Sequence, residues 1–450
     1  MKPTLIAFAG LAAAAGFVLT GCQGIPAPGE KQARRDLVTV TDKYRPTHQP
    51  PALPELTPDS SLSNYLAYAL FHQPQVAATF YDWSASVENI TVTRSRPDPQ
   101  LTFQSYIEDS LTSLMPGFAW NFPGPGKLKA RAGVAAAESQ GKYFAFESAV
   151  LQTAFKLKRA YYQFGLLEEQ LRLKREVLAL LENQERSIRA QNMTGTAALP
   201  DWLRVQSELD RARTELTNQE DSRGSLLENF KATLGLMPEQ PTPPAPARFE
   251  ASGEQVETDE LLREAFERNP QLAALAADVR AAEAGMAVAY KERIPDFNAG
   301  LSVEVYRPPF YWPQANMTLP IWRDKLAAEV AQAQVNILAA KSRLKAGQID
   351  LAVNFAQKSF ACRETSRNVA LIENELIPQS RQSVEVVQAG YRTGTMGFSA
   401  MTDAERILLD LQLEAVQART DREIALAELS LMVAGVSPPG APILSNTPQP

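Results

Sequence analysis

The feature that most constrains the fold of this chain is an internal duplication. YLAYALFHQPQVAA at 65–78 aligns with LLREAFERNPQLAA at 261–274, an offset of 196 residues. Later matches keep the same order at offsets of 198 or 199 residues: Pro97-Asp98 with Pro295-Asp296, Lys127-Leu128 with Lys325-Leu326, and TGT at 194–196 with TGT at 393–395. Ordered landmarks at a slowly growing offset indicate two copies of one fold, because repeats of about 200 residues are far longer than solenoid units.

Proline content divides the chain further. The segment PEQPTPPAPA at 238–247 cannot lie inside a helix or a strand, because proline lacks a backbone N–H and clashes with the preceding turn. Residues 23–58 and the end of the chain are also rich in proline and polar residues, and neither is expected to carry a core. The predicted divisions are a signal peptide (1–21), a lipid-anchored N-terminal linker (22–58), a first structural repeat (59–237), an inter-repeat linker (238–257), a second structural repeat (258–436) and a disordered tail (437–450).

Each half predicts the same series of elements: a short helix, a longer helix, a strand pair, a very long helical region, a turn and a final long helix. Residues 127–193 contain no proline and are rich in strong helix formers, so a continuous helix there would span on the order of 100 Å. Its counterpart in the second half is expected to break or kink at Pro378. Gly195 and Gly394, in the two TGT tripeptides, suit the positive φ that ends a helix.

The predicted strands alternate apolar and polar residues. In QLTFQSYI (100–107) and FNAGLSVEVY (297–306) the apolar side chains fall on one face, and the second and fourth strands alternate similarly. A half-buried sheet of a water-soluble protein is one explanation. Strands of about ten residues also suit a tilted bilayer crossing, and the connection YRPPFYWP (306–313) carries four aromatic residues that suit an interfacial girdle: Tyr306, Phe310, Tyr311 and Trp312.

Four strands raise a closure problem, since about eight is the smallest number that closes a barrel. An open sheet edge has no hydrogen-bond partners in lipid. If these strands cross a membrane, several chains must therefore share one barrel. The sequence predicts a mainly α-helical fold, with long helices packed side by side and a small membrane β-barrel portion.

Composition excludes several functions. The formal net charge is −6, and no long run of Lys and Arg is present, which argues against a nucleic-acid partner. The chain lacks the sequence patterns of zinc hydrolases, phosphate loops and nucleophile elbows, so no enzyme activity and no cofactor are predicted. Of the two histidines, His72 lies near the end of the first short helix, where a surface or capping role is expected and metal binding is the weaker alternative. Cys362 is expected to be a small buried hydrophobe.

The N-terminus predicts export. Lys2 precedes an apolar stretch from Leu5 to Leu19 that is too short for a comfortable membrane span and suits a signal peptide. The stretch ends in Leu19-Thr20-Gly21-Cys22, which resembles a bacterial lipobox, whose cysteine carries covalent lipid in the mature protein. An ordinary export signal with an incidental cysteine is the alternative. In lipoproteins, the Gln23 that follows implies release to the outer membrane.

The ordered motifs resemble those of the TolC-type outer-membrane efflux proteins, or outer-membrane factors, in their lipoprotein-bearing branch. The matches are the paired (N/Q)-P-Q-(V/L)-A-A openings, the proline-then-basic step from strand to helix, and the Y-x-x-G turn at 391–394. This resemblance implies a homotrimer with a twelve-stranded outer-membrane barrel, four strands per chain, and a helical barrel in the periplasm. It implies the exit duct of a tripartite (RND-type) efflux system, passively fed by an inner-membrane pump through a periplasmic adaptor. The P-G-K-L step at 125–128 resembles the metal-efflux subgroup.

The resemblance also assigns roles to the two turns. It places the adaptor contact at the periplasmic tips: Thr194, Gly195, Thr196, Thr393, Gly394 and Thr395. It makes gate candidates of Asp201, Tyr391 and Asp403, but the family's gate arginine is Met396 here and a second aspartate is Ala400. A looser or differently made gate is therefore expected. Asp403 carboxylates, one per chain, would make an acidic ring that favours cations. Otherwise Asp403 is a solvated helix residue, and Asp201 a first-turn carboxylate favoured by the helix dipole.

Three other functions compete with the efflux duct. A type I secretion duct has the same fold. A periplasmic adaptor would carry one helical hairpin flanked by a lipoyl-like module and a small barrel, whereas this chain has two equivalent halves. A lipid-anchored structural coiled coil would not need alternating strands.

Overall fold

The fold is described from a computed structural model. It describes residues 28–45, 53–107, 111–195, 198–241, 243–244, 246, 249, 258–305 and 309–433. The predicted signal peptide, Cys22, Thr196, Tyr306 and the predicted tail lie outside the described residues.

The two halves contain the same elements in the same order. One N-terminal helix, α1 (Pro28–Tyr44), precedes them. The first half comprises α2 (Leu62–His72), α3 (Pro74–Arg94), β1 (Gln100–Ile107), β2 (Leu111–Phe122), α4 (Lys127–Met193) and α5 (Leu199–Thr233). The second comprises α6 (Thr258–Arg268), α7 (Pro270–Lys291), β3 (Asp296–Glu304), β4 (Phe310–Thr318), α8 (Arg323–Leu371), a π-helical turn (Ile372–Leu376), α9 (Ile377–Arg392) and α10 (Phe398–Met432). The mainly helical fold with one small sheet confirms the predicted fold class.

The one long helix of the first half becomes three segments in the second. α4 runs for 67 residues without a break, as its lack of proline predicted. In the second half the backbone widens into a π-helical turn at 372–376, where the Ile377 N–H donates to the Ile372 carbonyl. Pro378 follows immediately and has no N–H to give. The wide turn therefore absorbs the proline at the predicted position.

Two compact units make up the chain, and each draws on both halves. The first comprises Met1–Thr39, Ser84–Gln140 and Ala277–Ala340, and contains the sheet. The second comprises Val40–Trp83, Gly141–Ala276 and Lys341–Pro450, and contains α5, α9 and α10. Its core includes Tyr65, Tyr161 and Phe230, which are almost fully buried.

The N-terminal helix corrects one prediction. Residues 23–58 are expected to carry no core, yet α1 occupies 17 residues of this segment and buries the Glu30 side chain to 1% exposure. The Glu30 carboxylate accepts hydrogen bonds from Arg94 Nε at 2.5 Å and Thr91 Oγ1 at 2.6 Å. Ala33 packs on Ile90 in the same unit. Composition missed these contacts because they depend on a partner helix far away in sequence.

Candidate functional site

The four strands form one antiparallel sheet in the order β1-β2-β3-β4. Residues that pair across the strands share a face, and one such row consists of Leu101, Phe118, Leu301 and Pro313. This face exposes large apolar side chains along every strand: Leu101, Phe103, Phe118, Trp120, Phe297, Leu301, Tyr311 and Met317. A sheet face this apolar needs to be covered by something other than water.

The opposite face is polar. A row across three strands consists of Asn121, Asn298 and Asn316, and the Asn298 amide donates to Asn121 Oδ1. On the same face a Cβ at Gly117 would lie 2.5 Å from the Ser302 hydroxyl and 2.6 Å from the Thr102 hydroxyl, so these two polar side chains pack over the glycine. Apolar-out and polar-in alternation of this kind is typical of membrane barrel strands.

The predicted aromatic girdle is wrong in part. Phe310, Tyr311 and Trp312 do not lie in a connection but begin strand β4. Alternation then puts Tyr311 on the apolar face, with Phe310 and Trp312 on the polar face. The three cannot form one lipid-facing belt, because a strand turns neighbouring side chains to opposite sides.

The sheet is open, with one edge strand on each side. β1 and β4 are the outermost strands, and each pairs with one neighbour in the order described. Their outer backbone groups need hydrogen-bond partners if the sheet lies in lipid.

An ion cluster joins the end of β2 to the start of β3. Lys127, whose side chain is 4% exposed, places Nζ 3.0 Å from oxygens of both Glu292 and Asp296. Burial alone would lower the pKa of Lys127, but hydrogen bonds from its ammonium to the two carboxylates raise it. Burial would raise the pKa of Glu292, but hydrogen bonds from Arg131 and Lys127 hold it below its usual value. The P-G-K-L step thus supplies the cation that ties the two strand–helix junctions together.

Both helix turns end in a glycine with positive φ, as predicted. φ is 75° at Gly195 and 73° at Gly394. At the second turn, the Thr395 N–H donates to the Gly390 carbonyl at 2.9 Å, and the Gly394 N–H donates to the Tyr391 carbonyl at 3.1 Å. This is the Schellman pattern that closes a helix C-terminus. Thr194, Gly195, Thr393, Gly394 and Thr395 are all exposed, so both tips face solvent in this chain.

Met396 stands where the family's gate arginine was expected, and it packs instead of pairing. A Cβ added to Gly390 would lie 2.8 Å from Met396 Cγ, so the Met396 side chain covers that glycine. Tyr391 is half-buried in the last turn of α9. Asp201 lies in the first turn of α5, as the helix-dipole interpretation requires.

Two ion pairs that the sequence did not predict connect the first helical hairpin, α4–α5, to the second, α9–α10. Arg204 NH2 lies 4.0 Å from Asp403 Oδ1, and Arg406 NH1 lies 3.4 Å from Glu208 Oε1. α5 and α10 each supply one arginine and one carboxylate. The Asp403 carboxylate therefore has a cation beside it, contributed by the other hairpin. Arg204 and Asp403 lie 199 residues apart and Glu208 and Arg406 lie 198 apart, so the only sequence signal was that both pairs fall at about the repeat offset.

The (N/Q)-P motifs act as clasps that close each repeat. Gln73 Nε2 donates to the Ala232 carbonyl at 3.1 Å, and Asn269 Nδ2 donates to the Met432 carbonyl at 3.1 Å. Each amide therefore joins the start of the second helix of its repeat to the C-terminus of the last helix of the same repeat, α5 or α10. His72 Nδ1 lies 3.1 Å from the Leu234 carbonyl at the same clasp, which fits the predicted capping role.

Cys362 is buried in α8 against Ala425 and Leu426. Burial raises the pKa of its thiol, so it is a poor nucleophile and packs as the predicted small hydrophobe. No helix in the described parts of the chain has the length and apolar character to span a membrane.

The sequence matches a known protein family in both of its halves. The profile of the family described as "Outer membrane efflux protein" matches residues 66–236 and 261–435, one match in each half. No curated protein matches the sequence.

Solved structures share the fold at low sequence identity. A membrane protein from Pseudomonas aeruginosa aligns with a TM-score of 0.73 at 17% identity, over 87% of this chain and 94% of that one. The open-state MtrE outer membrane channel of Neisseria gonorrhoeae aligns with a TM-score of 0.72 at 16% identity, over 87% and 96%. The CmeC outer membrane channel of Campylobacter jejuni aligns with a TM-score of 0.71 at 11% identity, over 88% and 91%. Since the family profile matches both halves and the fold extends over most of the chain, the protein belongs to the outer membrane efflux protein family, the TolC-type outer-membrane factors that its motifs predicted.

Proposed function

We propose that this protein is the outer-membrane exit duct of a tripartite efflux system. Three chains form a homotrimer whose twelve strands make one barrel in the outer membrane. The duct conducts substrates passively from an inner-membrane pump, which it meets through a periplasmic adaptor. As an efflux protein of this family it is a transport duct and not an enzyme.

The two faces of the sheet carry this proposal. One face exposes apolar residues along all four strands, and the other bears the asparagine row and Ser302. The strands are 8, 12, 9 and 9 residues long, close to the 9–11 or so that a tilted crossing needs. Because four strands cannot close, β1 of one chain and β4 of the next supply the missing edge partners.

An apolar stripe on α8 supports the trimer independently. Ile349, Val353 and Phe360 are each at least half exposed, at 56%, 50% and 53%. Their spacing of four and seven residues places them on one face of the helix. A row of large apolar side chains left to water would destabilise the chain, and a second copy packing on it would bury them.

The two turns are proposed as the adaptor contact. Thr194, Gly195, Thr393, Gly394 and Thr395 lie exposed at helix reversals. Thr196, which follows Gly195 in the sequence, is proposed to contribute as well. For the gate, we keep Asp201, Tyr391 and Asp403 and add Arg204 as the cation that faces Asp403. Closure then depends on paired charges between the two hairpins and not on the arginine that Met396 replaces. An acidic ring of Asp403 alone would be weakened by the adjacent Arg204.

The N-terminus is proposed as a lipid anchor on Cys22. Its lipobox-like sequence supports acylation, and Gln23 supports delivery to the outer membrane. The docked helix α1 begins six residues later, at Pro28, in the unit that contains the sheet. A short stretch of chain therefore connects the proposed anchor to a helix of the unit that contains the sheet.

Reconstitution tests the proposal directly. The purified protein is measured by native mass spectrometry and in planar bilayers. A mass of three chains together with discrete single-channel currents is expected. A monomer without conductance, or a protein released from membranes by salt alone, would contradict the duct model.

The efflux and type I secretion alternatives differ in phenotype. A deletion strain is tested against drugs and metal salts, with complementation by the intact gene. Restored resistance supports efflux. Unchanged resistance to every compound would favour protein secretion through the same fold.

A further inference from the structure

Two aromatic rings stand on the polar face at one end of the sheet. Phe310 pairs with Glu304 and Trp312 pairs with Ser302 across β3 and β4, so all four side chains share that face. The two ring centroids lie 5.3 Å apart, and the rings are 59% and 46% exposed. The indole Nε1–H of Trp312 donates to Glu304 Oε2 at 3.3 Å.

Membrane insertion does not account for these rings. An aromatic residue that anchors a strand in lipid must point out of the barrel, as Tyr311 does on the apolar face. The neighbours of Trp312 on the polar face are small or polar, and include Ser302, Gln314 and Gly117. The rings therefore require a different explanation.

Their position along the strands is defined by the topology. Glu304 and Phe310 adjoin the β3–β4 connection, whereas the opposite ends of the two strands, Asp296 and Thr318, lead into α7 and α8. In a barrel whose helices extend into the periplasm, the connection lies at the outer surface of the membrane. The polar face lines the pore, so the aromatic pair lies just inside its outer mouth.

The chemistry of the cluster suits an organic cation. The face of an indole or phenyl ring attracts a cation, and a carboxylate within reach adds charge complementarity. The hydrogen bond to Glu304 uses the N–H at the indole edge, and Trp312 beside Phe310 stays 46% exposed, so part of the indole is open to a ligand. A hydrophilic inorganic cation would gain little from two apolar rings, whereas a substituted ammonium ion presents both charge and apolar groups.

We propose that Phe310, Trp312 and Glu304 form an aromatic–acidic site at the outer mouth of the pore, which binds organic cations as they leave the duct. The inference rests on the proposed function, because it needs the polar face to line a closed barrel. A trimer presents three copies of the site around the pore.

Channel block tests the proposal. Tetrapropylammonium chloride is added to the outer side of reconstituted channels, and the single-channel current is measured against concentration. The wild-type current is expected to fall with a saturable dependence. Trp312→Leu and Glu304→Gln are each expected to raise the half-blocking concentration about fivefold. The matched control is Tyr311→Leu, one residue away on the apolar face, which is expected to leave the block unchanged.

A second measurement does not depend on conductance. N-methylpyridinium quenches tryptophan fluorescence, and its effect on the detergent-solubilised trimer is expected to include a saturable component that Trp312→Phe weakens and Glu304→Gln reduces. Channels that conduct but show no saturable block, or equal block in all variants, would overturn the site and leave the duct intact. Absence of any conductance in wild type would remove the pore and the site together.

Discussion

Replacement of Asn269 by alanine is expected to loosen both helix ends that meet at the second clasp. Asn269 is 6% exposed, and its Oδ1 accepts from the Gln271 and Leu272 N–H groups at 3.0 and 3.2 Å. This N-cap contributes about 1 kcal/mol, and the bond from Nδ2 to the Met432 carbonyl contributes about another. A loss of about 2 kcal/mol corresponds to roughly thirtyfold more frequent local opening.

Hydrogen–deuterium exchange of the solubilised protein measures this opening by segment. In Asn269→Ala, protection is expected to fall both at the start of α7 and at the end of α10. Asn269→Asp keeps an oxygen to cap α7 but has no N–H for the Met432 carbonyl, so only the end of α10 should lose protection. Gln271→Ala, an exposed neighbour, is the matched control. Unchanged exchange in Asn269→Ala, or equal loss at both ends in Asn269→Asp, would refute the clasp.

Three further outcomes are expected. Gly394→Ala should lower the melting temperature by an amount equivalent to about 1 kcal/mol, because φ is 73° there and alanine is strained at positive φ. An added Cβ meets no atom within 4 Å, so the backbone strain is the whole expected cost, and an unchanged melting temperature would contradict it. Burial would raise the pKa of Glu30, but the hydrogen bond and the charge of Arg94 help hold it below the ordinary value. The ionised Glu30 therefore stabilises the fold above the ordinary carboxyl pKa, and this stabilisation is lost as pH falls through the lowered pKa. Glu30→Gln should flatten the fall in melting temperature between about pH 5 and pH 2, and an identical pH profile in the variant would refute this. The exposed pair Arg204–Asp403 should contribute under about 1 kcal/mol to stability. Arg204→Glu should nevertheless raise channel conductance, and the double variant Arg204→Glu with Asp403→Arg should restore the wild-type conductance. Equal conductance in the wild type, the single variant and the double variant would remove the pair from the gate.

Local sequence determines the elements of this protein well. The proline-free stretch 127–193 is one helix with the predicted bounds, and the first strand occupies the predicted residues 100–107. Gly195 and Gly394 adopt the positive φ that their place after long helices required. These features depend on backbone conformation and periodicity, which neighbours in sequence decide.

Contacts between residues far apart in the sequence were harder to predict. The sequence predicts one girdle of Tyr306 and the aromatic run at 310–312, because a sequence does not show where a connection ends and a strand begins. Register then divides the run between two faces. The Arg204–Asp403 pair and the burial of Glu30 also join residues on different helices, so no spacing along one helix predicts them.

The amino-acid sequence alone encodes the duplication, the helix and strand types, and the alternation that separates an apolar from a polar sheet face. Those properties follow from side-chain period and from the restrictions of proline and glycine on φ. Tertiary packing and strand register settle which charges meet, which amides join the helix ends of each repeat, and which face of the sheet Phe310 and Trp312 occupy. The reason is that a contact between residues distant in sequence depends on register and packing, where a shift of one residue turns a strand side chain to the other face.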